Sequence, residues 1–290
     1  MAPTVWTILA LIRWADERFK KEGLTTPRLD AEVLLAETLG RDRVGLYTHF
    51  DQPLKPDELA RFKKIILRRL RREPVAYILG RREFWSLPFK VTPDVLIPRP
   101  ETEVLVAEAL KTLAQINGKE SLLLEIGTGS GAISVALAKE LPAVRVVATD
   151  LSAKALSVAG ENALQHGVRE RVHFLQGDLF QPLQKGSKFS LVITNPPYIP
   201  RGKYPSLIPE VRDFEPRIAL DGGVDGLDFF RRVLSQVGSF LHPGDWFLGE
   251  IGEGQDQNIL KIAEKGRDLD GFDFVKDLAG IKRVFKARKK

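Results

Sequence analysis

An apolar run that predicts a buried strand is followed by four residues with distinctive hydrogen-bonding properties: Asn195, Pro196, Pro197 and Tyr198. The prolines fix φ and carry no backbone N–H, so they add no competing donor. The Asn195 side-chain oxygen and the Pro196 carbonyl can therefore accept from both N–H bonds of a flat amide or amino group, and Tyr198 can stack on that group. We predict chemistry at a planar nitrogen whose lone pair is aimed at an electrophile.

A glycine-rich turn lies between another apolar strand and a helix in the segment LLLEIGTGSGAISVALA. Gly127, Gly129 and Gly131 allow the backbone to approach a ligand closely at the carboxyl end of this strand. Asp150 ends the next predicted strand, where a carboxylate can accept from both hydroxyls of a ribose. Together these residues predict a site for a cofactor that contains a nucleoside.

The charges near this turn favour S-adenosylmethionine over a dinucleotide. The pattern G-x-G-x-x-G/A is met, with Ala132 at its last position, so an NAD oxidoreductase is an alternative. Glu125, just before the turn, would be unfavourable beside a pyrophosphate but favourable beside a sulfonium and an ammonium. Asp178, at the end of the third predicted strand, can accept from the adenine amine. Gly131 also completes a G-x-G-x-G form that resembles class I methyltransferases.

Methyl transfer to a planar nitrogen depends on orientation more than on a strong base. The cofactor supplies the electrophile, and orientation can contribute roughly 7–11 kcal/mol toward lowering the barrier. We therefore expect the loss of Asn195 to lower kcat more than it raises KM. The NPPY motif resembles the amino-group methyltransferases, which modify adenine, cytosine or a glutamine amide, and the motif alone does not choose among them.

Seven predicted strands must position these residues. Four of them alternate with helical stretches, which predicts a parallel sheet, and three more follow: SLLLEI, VRVVAT, VHFL, FSLVIT, GDWFLGEI, FDFVKD and KRVFKA. The fold class is α/β, a class I (Rossmann-like) methyltransferase sheet of seven strands with a small N-terminal helical bundle. We assign residues 1–75 to the helical domain and 76–100 to a linker with a short β-hairpin. Residues 101–290 form the methyltransferase domain, which begins with a helix from Glu101 to Gln115.

The helical domain is predicted to contain three helices. The first runs from about Thr4 to Lys21, and the second begins after Thr26, whose side chain can cap it. The third includes the basic run RFKKIILRRLRR, residues 61–72. The simpler interpretation of this run is the solvated face of an amphipathic helix, with its apolar residues turned inward. The alternative is a docking surface for nucleic acid or an acidic protein.

The composition excludes several classes of protein. The 290 residues include no cysteine, which excludes disulfides and thiolate metal sites. The histidines are scattered without ligand spacing, so we predict no metal. The sequence has no apolar run long enough to span a membrane and no secretion signal, and we expect a cytoplasmic protein. We expect it to be a monomer.

Five blocks of sequence, in the same order, are similar to the HemK/PrmC family: LIPRPETE, LEIGTGSGAISVALA, NPPYIP, EPRIALDGGVDGLDFFRRV and DLAGIKRV. The resemblance covers nearly the whole chain, including the helical N-terminal domain. It implies methylation, from S-adenosylmethionine, of the glutamine in the Gly-Gly-Gln motif of class-1 peptide chain release factors. It also gives the helical domain a role, which is to dock the body of the release factor.

The resemblance implies individual site residues as well. The positions that match the family's cofactor site are Gly127, Thr128, Gly129, Ser130, Gly131, Asp150, Leu179 (directly after Asp178) and Asn195. Those that match its substrate glutamine site are Asn195, Pro196, Pro197 and Tyr198. Those that fall near the methionine end of the cofactor are Arg99, Glu101 and Thr102. Some members have Trp where this chain has Leu179, so we expect Leu179 and Phe180 to form an apolar wall there.

Two other functions stay open at this point. A DNA adenine methyltransferase would use the same chemistry, and the net charge of +6 supports it. Sequence reading of DNA normally needs a sizeable recognition region, and only the basic helix is evident, so nucleic acid is not the expected substrate. A binding module that keeps the fold without catalysis is the other alternative, and the intact NPPY motif and glycine turn argue against it.

Overall fold

The computed structural model describes residues 6–114 and 121–290, so the expected helix ends at Thr4 and Gln115 lie outside the described residues. Its α-helices are α1 (Ile8–Lys21), α2 (Pro27–Leu39), α3 (Arg43–Thr48), α4 (Pro56–Leu70), α5 (Val75–Leu79), α6 (Glu103–Ala114), α7 (Ala132–Glu140), α8 (Ala153–Gln165), α9 (Pro209–Arg212), α10 (Asp228–Leu234) and α11 (Asp256–Glu264). Its strands are β1 (Arg81–Phe84), β2 (Leu87–Lys90), β3 (Leu122–Ile126), β4 (Arg145–Asp150), β5 (Val172–Gln176), β6 (Phe189–Thr194), β7 (Leu241–Glu250), β8 (Leu269–Lys276) and β9 (Lys282–Lys289). Within the described ranges, no helix combines the length and apolar character needed to cross a membrane.

The chain divides into two units. The helical unit consists of the chain up to Gly80 together with Pro209–Phe214, and the sheet unit consists of Arg81–Ile208 and Glu215–Lys290. Three short helices of the helical unit, α3, α5 and α9, were not expected from the sequence. They have 6, 5 and 4 residues, too few to show a helical periodicity.

The predicted helices of the helical unit correspond to α1, α2 and α4, and the sequence signals at the ends of α2 are only partly confirmed. Pro27 occupies its first turn, and Gly40 ends it in a left-handed conformation with φ of 61°. Thr26 stands at the N-cap, but its side chain makes no cap hydrogen bond. Its hydroxyl donates instead to Asp30 Oδ1 at 2.7 Å, so the predicted side-chain cap is wrong.

The basic helix α4 is amphipathic as predicted, but not every basic residue on it is solvated. Phe62 and Ile66 are buried in the core of the helical unit, whereas Leu67 is 47% exposed, against the prediction. Arg69 is only 4% exposed, because its guanidinium pairs with Asp30 at 2.7 Å and with Glu210 at 3.0 Å. A buried arginine between two carboxylates is a structural feature of this unit, and the interpretation of a uniformly solvated basic face is wrong here.

The sheet unit contains the seven-stranded sheet that the sequence predicts, in the order β5-β4-β3-β6-β7-β9-β8. β5, β4, β3, β6 and β7 are parallel, whereas β9 is antiparallel to both β7 and β8. Alternating residues of the strands face opposite sides: Leu123 packs with α6 and α7, and Leu124 packs with α10 and α11. Helices therefore cover both faces of the sheet, as expected for a doubly wound α/β fold.

The order of the strands reverses at β3, because β4 lies on one side of it and β6 on the other. β3 and β6 pair in parallel, with Ile126 opposite Thr194. The next residues along the two strands are Gly127 and Asn195, so the glycine turn and the NPPY motif emerge side by side at the carboxyl edge. Ligands bind at such a switch point in open α/β sheets. The predicted hairpin is also confirmed, as β1 and β2 form a separate two-stranded sheet.

We expect Arg69→Met to destabilise the helical unit by ~3–5 kcal/mol, because it leaves the Asp30 carboxylate buried without a counter-charge and removes one of the two arginine partners of Glu210. Urea unfolding followed by circular dichroism measures this. Arg61→Met is the matched control on the same helix, since the Arg61–Asp57 pair is exposed on both sides. It should cost no more than about 1 kcal/mol. Equal unfolding curves for the two variants would contradict the assignment.

Candidate active site

A cavity of about 330 Å³ opens at the carboxyl edge of the parallel strands, in the sheet unit. Most of the predicted site residues line it: Arg99, Thr102, Glu125, Gly127, Thr128, Gly129, Ser130, Asp150, Asp178, Leu179, Asn195 and Pro197. Glu101, Gly131, Pro196 and Tyr198 are not among its lining residues. The volume lies within the range of small-molecule sites, and the lining combines apolar surface with a few polar groups.

The glycine turn adopts backbone conformations that other residues rarely tolerate. Gly127 and Gly129 have φ of 74° and 55°, and the Gly129 amide donates to Asp150 Oδ2 at 2.9 Å. Gly131 also has a left-handed φ, of 79°, and it is required for a second reason, because a Cβ there would lie 3.0 Å from the Cβ of Ala159 on α8. Gly131 therefore serves the close packing of α7 and α8, while Gly127 and Gly129 shape the turn that faces the cavity.

Asn162 supports the glycine turn by a hydrogen bond, and the sequence analysis did not predict this role. This residue of α8 is fully buried, and its Nδ2 donates to the Ser130 carbonyl at 2.8 Å and the Lys90 carbonyl at 3.0 Å. Its Oδ1 accepts from the Lys90 amide at 2.7 Å. The asparagine thereby ties the β1–β2 hairpin to the turn. The only signal in the sequence was a polar amide within an amphipathic helix, which by itself does not indicate burial.

Glu125 is buried at the end of β3 and accepts several hydrogen bonds. Its Oε2 accepts from the Thr128 hydroxyl at 2.7 Å, from the Ser134 amide at 3.1 Å and from the Ser134 hydroxyl. Burial raises the pKa of Glu125 to about 7, although these hydrogen bonds oppose the shift. The carboxyl group thus titrates near neutrality, and a cation in the cavity would favour its ionised form.

Asp150 and Asp178 both line the cavity but have different partners. Asp150, at the end of β4, accepts from the backbone amides of Gly129 and Ser152, each at 2.9 Å. Burial raises its pKa, and these amides oppose the change. Asp178 instead forms an ion pair with Arg232 of α10 at 2.5 Å, so its carboxylate already has a cationic partner. Arg232 lies in the EPRIALDGGVDGLDFFRRV block but was not among the predicted site residues.

Leu179 and Phe180 do not form the apolar wall together. Leu179 lines the cavity, with φ of 53°, and its carbonyl accepts from the Thr149 hydroxyl at 3.2 Å. A left-handed conformation at a non-glycine residue costs free energy, which such contacts must offset. Phe180 stacks on Phe240 in the core, with ring centroids 4.4 Å apart, and is not a lining residue. The aromatic residue that does line the cavity is Phe229 on α10, which the sequence reading missed.

The residues of the NPPY motif separate into two groups. Asn195 and Pro197 line the cavity, and the Asn195 Nδ2 donates to the Thr102 hydroxyl at 3.0 Å. This bond leaves the Asn195 Oδ1 as the atom that can accept from a substrate. Tyr198 points to the far side of the motif, where its hydroxyl donates to Glu250 Oε1 at 3.3 Å. Burial and the Glu250 carboxylate raise the pKa of Tyr198.

Arg99 is held at the edge of the cavity by a residue that the sequence reading did not select. Its Nη2 pairs with Glu215 Oε1, and the Glu215 Oε2 accepts from the Ile97 amide at 3.3 Å. Burial raises the pKa of Glu215, while Arg99 lowers it. The guanidinium position is therefore fixed through a segment more than a hundred residues away in sequence, which a local motif does not reveal.

No group of His, Asp and Glu side chains within residues 6–114 and 121–290 has an arrangement that could hold a metal ion. The polar groups that face the cavity are carboxylates, an amide, hydroxyls and guanidinium groups. Such an arrangement can bind a cationic nucleoside and orient a neutral amide, because it offers acceptors to both.

Two family models match the chain, one for each of its main parts. The PrmC N-terminal domain matches residues 10–80, and the methyltransferase small domain matches residues 102–207. Two solved structures resemble the fold: a methyltransferase from Pyrococcus furiosus and the catalytic domain of hMettl16 in complex with MAT2A 3'UTR hairpin 6. The first has a TM-score of 0.50 at 17% identity, covering 69% of this chain and 88% of that chain. The second has a TM-score of 0.55 at 16% identity, covering 80% and 81%.

Curated relatives match over nearly the full length. A release factor glutamine methyltransferase from Geobacter sulfurreducens is 45% identical, covering 99% of this chain and 98% of the relative. One from Vibrio cholerae is 42% identical, covering 96% of this chain and 95% of the relative. Because matches at this identity span both the helical and the sheet unit, the chain belongs to the family of release factor glutamine methyltransferases.

Proposed function

We propose that this protein transfers a methyl group from S-adenosylmethionine to the side-chain amide nitrogen of the glutamine in the Gly-Gly-Gln motif of class-1 peptide chain release factors. The observation that carries the proposal is the β3–β6 register, which sets the Asn195 acceptor beside the glycine turn. The names of its relatives support the substrate. Methylation of release factors modulates translation termination, and this substrate supports a cytoplasmic location. The functional form is a monomer.

The residues that face the cavity fit S-adenosylmethionine. Asp150 offers a carboxylate to the ribose hydroxyls, and Leu179 and Phe229 offer apolar surface to the adenine. The backbone from Gly127 to Ser130, which lines the cavity, would surround the cofactor. Glu125 would place negative charge near the cationic parts of the cofactor, and Asp178, although paired with Arg232, would offer an acceptor to its adenine amine. Arg99 and Thr102 would lie toward its methionine end. When bound, the cofactor supplies an electrophilic methyl group on a sulfonium.

The NPPY motif holds the nucleophile. The Asn195 Oδ1 accepts from one N–H bond of the glutamine amide and a backbone carbonyl of the motif accepts from the other, so its lone pair is directed at the methyl group. Pro197 adds no donor that would compete. Tyr198 holds the NPPY motif in place through its hydrogen bond to Glu250. The sequence had suggested that Tyr198 stacks directly on the amide instead. Transfer forms an N–CH₃ bond, breaks the S–CH₃ bond and releases one amide proton.

The helical unit serves as the substrate-docking part in this proposal. The substrate is a whole protein, so a second contact surface contributes to its recognition. The DNA adenine methyltransferase alternative is not favoured, because the full-length relatives are named for release factors. In addition, Arg68, Arg69 and Arg72 of the basic run pair with acidic side chains of their own unit, which leaves less of the run available for phosphates.

Incubation of this protein with S-adenosylmethionine and a purified class-1 release factor should add one methyl group to the glutamine of the Gly-Gly-Gln motif. Mass spectrometry of the peptide locates the group. A release factor with that glutamine replaced, and duplex DNA, serve as controls and should stay unmodified. Methyl transfer to DNA without transfer to the release factor would refute the proposal.

Asn195→Ala should lower kcat at least about 100-fold, because the amide nitrogen loses one of the acceptors that orient it. The Kd for S-adenosylmethionine, measured by calorimetry, should change little by comparison. Gln257→Ala is a suitable control, since Gln257 is an exposed amide outside the cavity. An Asn195 variant with weakened cofactor binding and unchanged kcat would be inconsistent with the assigned role.

The affinity for S-adenosylmethionine should increase with pH through the region around 7. Burial holds the pKa of Glu125 at about 7, and a bound cation lowers it, so binding releases a proton. Affinity then rises by up to about tenfold for each unit by which the cofactor lowers this pKa. Comparison with Glu125→Gln isolates the effect from titration of the cofactor's own amino group. A pH dependence of Kd that is identical in the two proteins would argue against it.

A further inference from the structure

Glu250 is a buried carboxylate directly behind the NPPY motif. It ends β7, which pairs with β6 so that Gly249 lies opposite Thr194; the following residues, Glu250 and Asn195, therefore emerge side by side. Glu250 is 2% exposed and is not a lining residue of the cavity, so it does not reach a substrate. Its Oε1 accepts from Tyr198, whereas its Oε2 is buried with no hydrogen-bond partner among the described residues.

The orientation of the Asn195 amide decides whether the motif can work. A side-chain amide has an accepting end and a donating end, and only the oxygen can accept an N–H of a substrate amide. The Nδ2 donates to Thr102 Oγ1 at 3.0 Å, so Thr102 acts as the acceptor in this bond. Thr102 is buried, and its own hydroxyl hydrogen needs a separate acceptor. A hydroxyl whose hydrogen pointed at Asn195 would favour the reversed amide.

We propose that Glu250 is a positioning residue that fixes the direction of this hydrogen-bond chain. The ionised carboxylate, which can only accept, takes the Thr102 hydroxyl hydrogen on its Oε2. Thr102 is then restricted to accepting from Asn195, and Asn195 must present its oxygen to the cavity. The inference rests on the proposed function, because it concerns the orientation of the acceptor for the glutamine amide.

The surroundings of Glu250 are consistent with a carboxyl group that changes charge near neutrality. Burial raises its pKa to about 7, while the hydroxyls of Thr102 and Tyr198 and the charge of Arg283 on β9 lower it. Glu101, in the 3-10 helix before α6, raises it. Protonated Glu250 can donate to Thr102, which frees the Thr102 hydrogen to point at Asn195. The productive amide orientation is therefore lost as the pH falls through the pKa of Glu250.

The test measures kcat against pH for methylation of intact release factor at saturating cofactor, where titration of Glu125 affects binding only. In the unmodified protein, kcat should fall on the acid side with a midpoint near 7, as set by Glu250. Glu250→Gln should lower kcat about tenfold or more. It should also remove the fall of kcat on the acid side (the acid limb of the pH profile), because its amide does not ionise. The Kd for S-adenosylmethionine should stay within about a factor of two, since Glu250 does not line the cavity.

Two Thr102 variants test the chain independently of how well Glu250→Gln folds. Thr102→Val, which removes the hydroxyl, should lower kcat by about 10- to 100-fold, and Thr102→Ser, which keeps it, should restore most of the activity. Glu108→Gln is the matched control: Glu108 is a buried carboxylate of α6 that pairs with Lys286, away from the cavity. It should keep both kcat and the acid limb.

The results of these experiments distinguish a failure of the proposed function from a failure of the role assigned to Glu250. An unmodified protein that transfers no methyl group to the release factor would refute the proposed function. Activity that persists in Glu250→Gln with an unchanged acid limb would overturn the role of Glu250 alone. Equal losses in Thr102→Val and Thr102→Ser would overturn it as well, because a hydroxyl would then make no difference.

Discussion

The parallel pairing of β3 with β6 is the interaction on which the site depends. It is the pairing at which the order of strands along the sheet reverses, with Ile126 opposite Thr194. Because side chains alternate along a strand, a shift of one residue would turn Asn195 away from the cavity and move the apolar residues of β6 to the wrong face. The register is held by burial on both sides, since Leu191 and Val192 are each fully buried against different helix layers. The chemistry of the site is thus specified by the same packing that stabilises the sheet.

Buried carboxylates recur around this register, and each has neighbours that determine its charge. Glu125 accepts from three donors near the glycine turn. Glu215 pairs with Arg99, and Glu250 lies behind the NPPY motif and accepts from Tyr198. An isolated buried charge is costly, so groups of this kind persist where hydrogen bonds or opposite charges offset the loss of hydration. All three stand close to the cavity, where perturbed pKa values are typical of functional sites.

A large part of the fold could be read from the sequence, because local patterns determine it. Apolar runs separated by helical stretches predicted all seven strands of the sheet, and the alternation predicted that most of them are parallel. The glycine turn and the NPPY motif were recognisable because glycine and proline restrict the backbone independently of what surrounds them. Short helices such as α3, α5 and α9 were missed, since they depend on packing and not on their own periodicity.

The sequence by itself determined which residues could do chemistry and which strands carry them, because residue type and strand position are local properties. Only the tertiary structure decided how these residues are used. It placed Gly131 in helix packing and Phe180 in the core, gave Asp178 a partner in Arg232, and brought Phe229 to the cavity. Likewise, the contact of Glu250 with Tyr198 joins positions 52 residues apart. Such relations arise from burial and pairing between distant segments, so no local pattern of residues can show them.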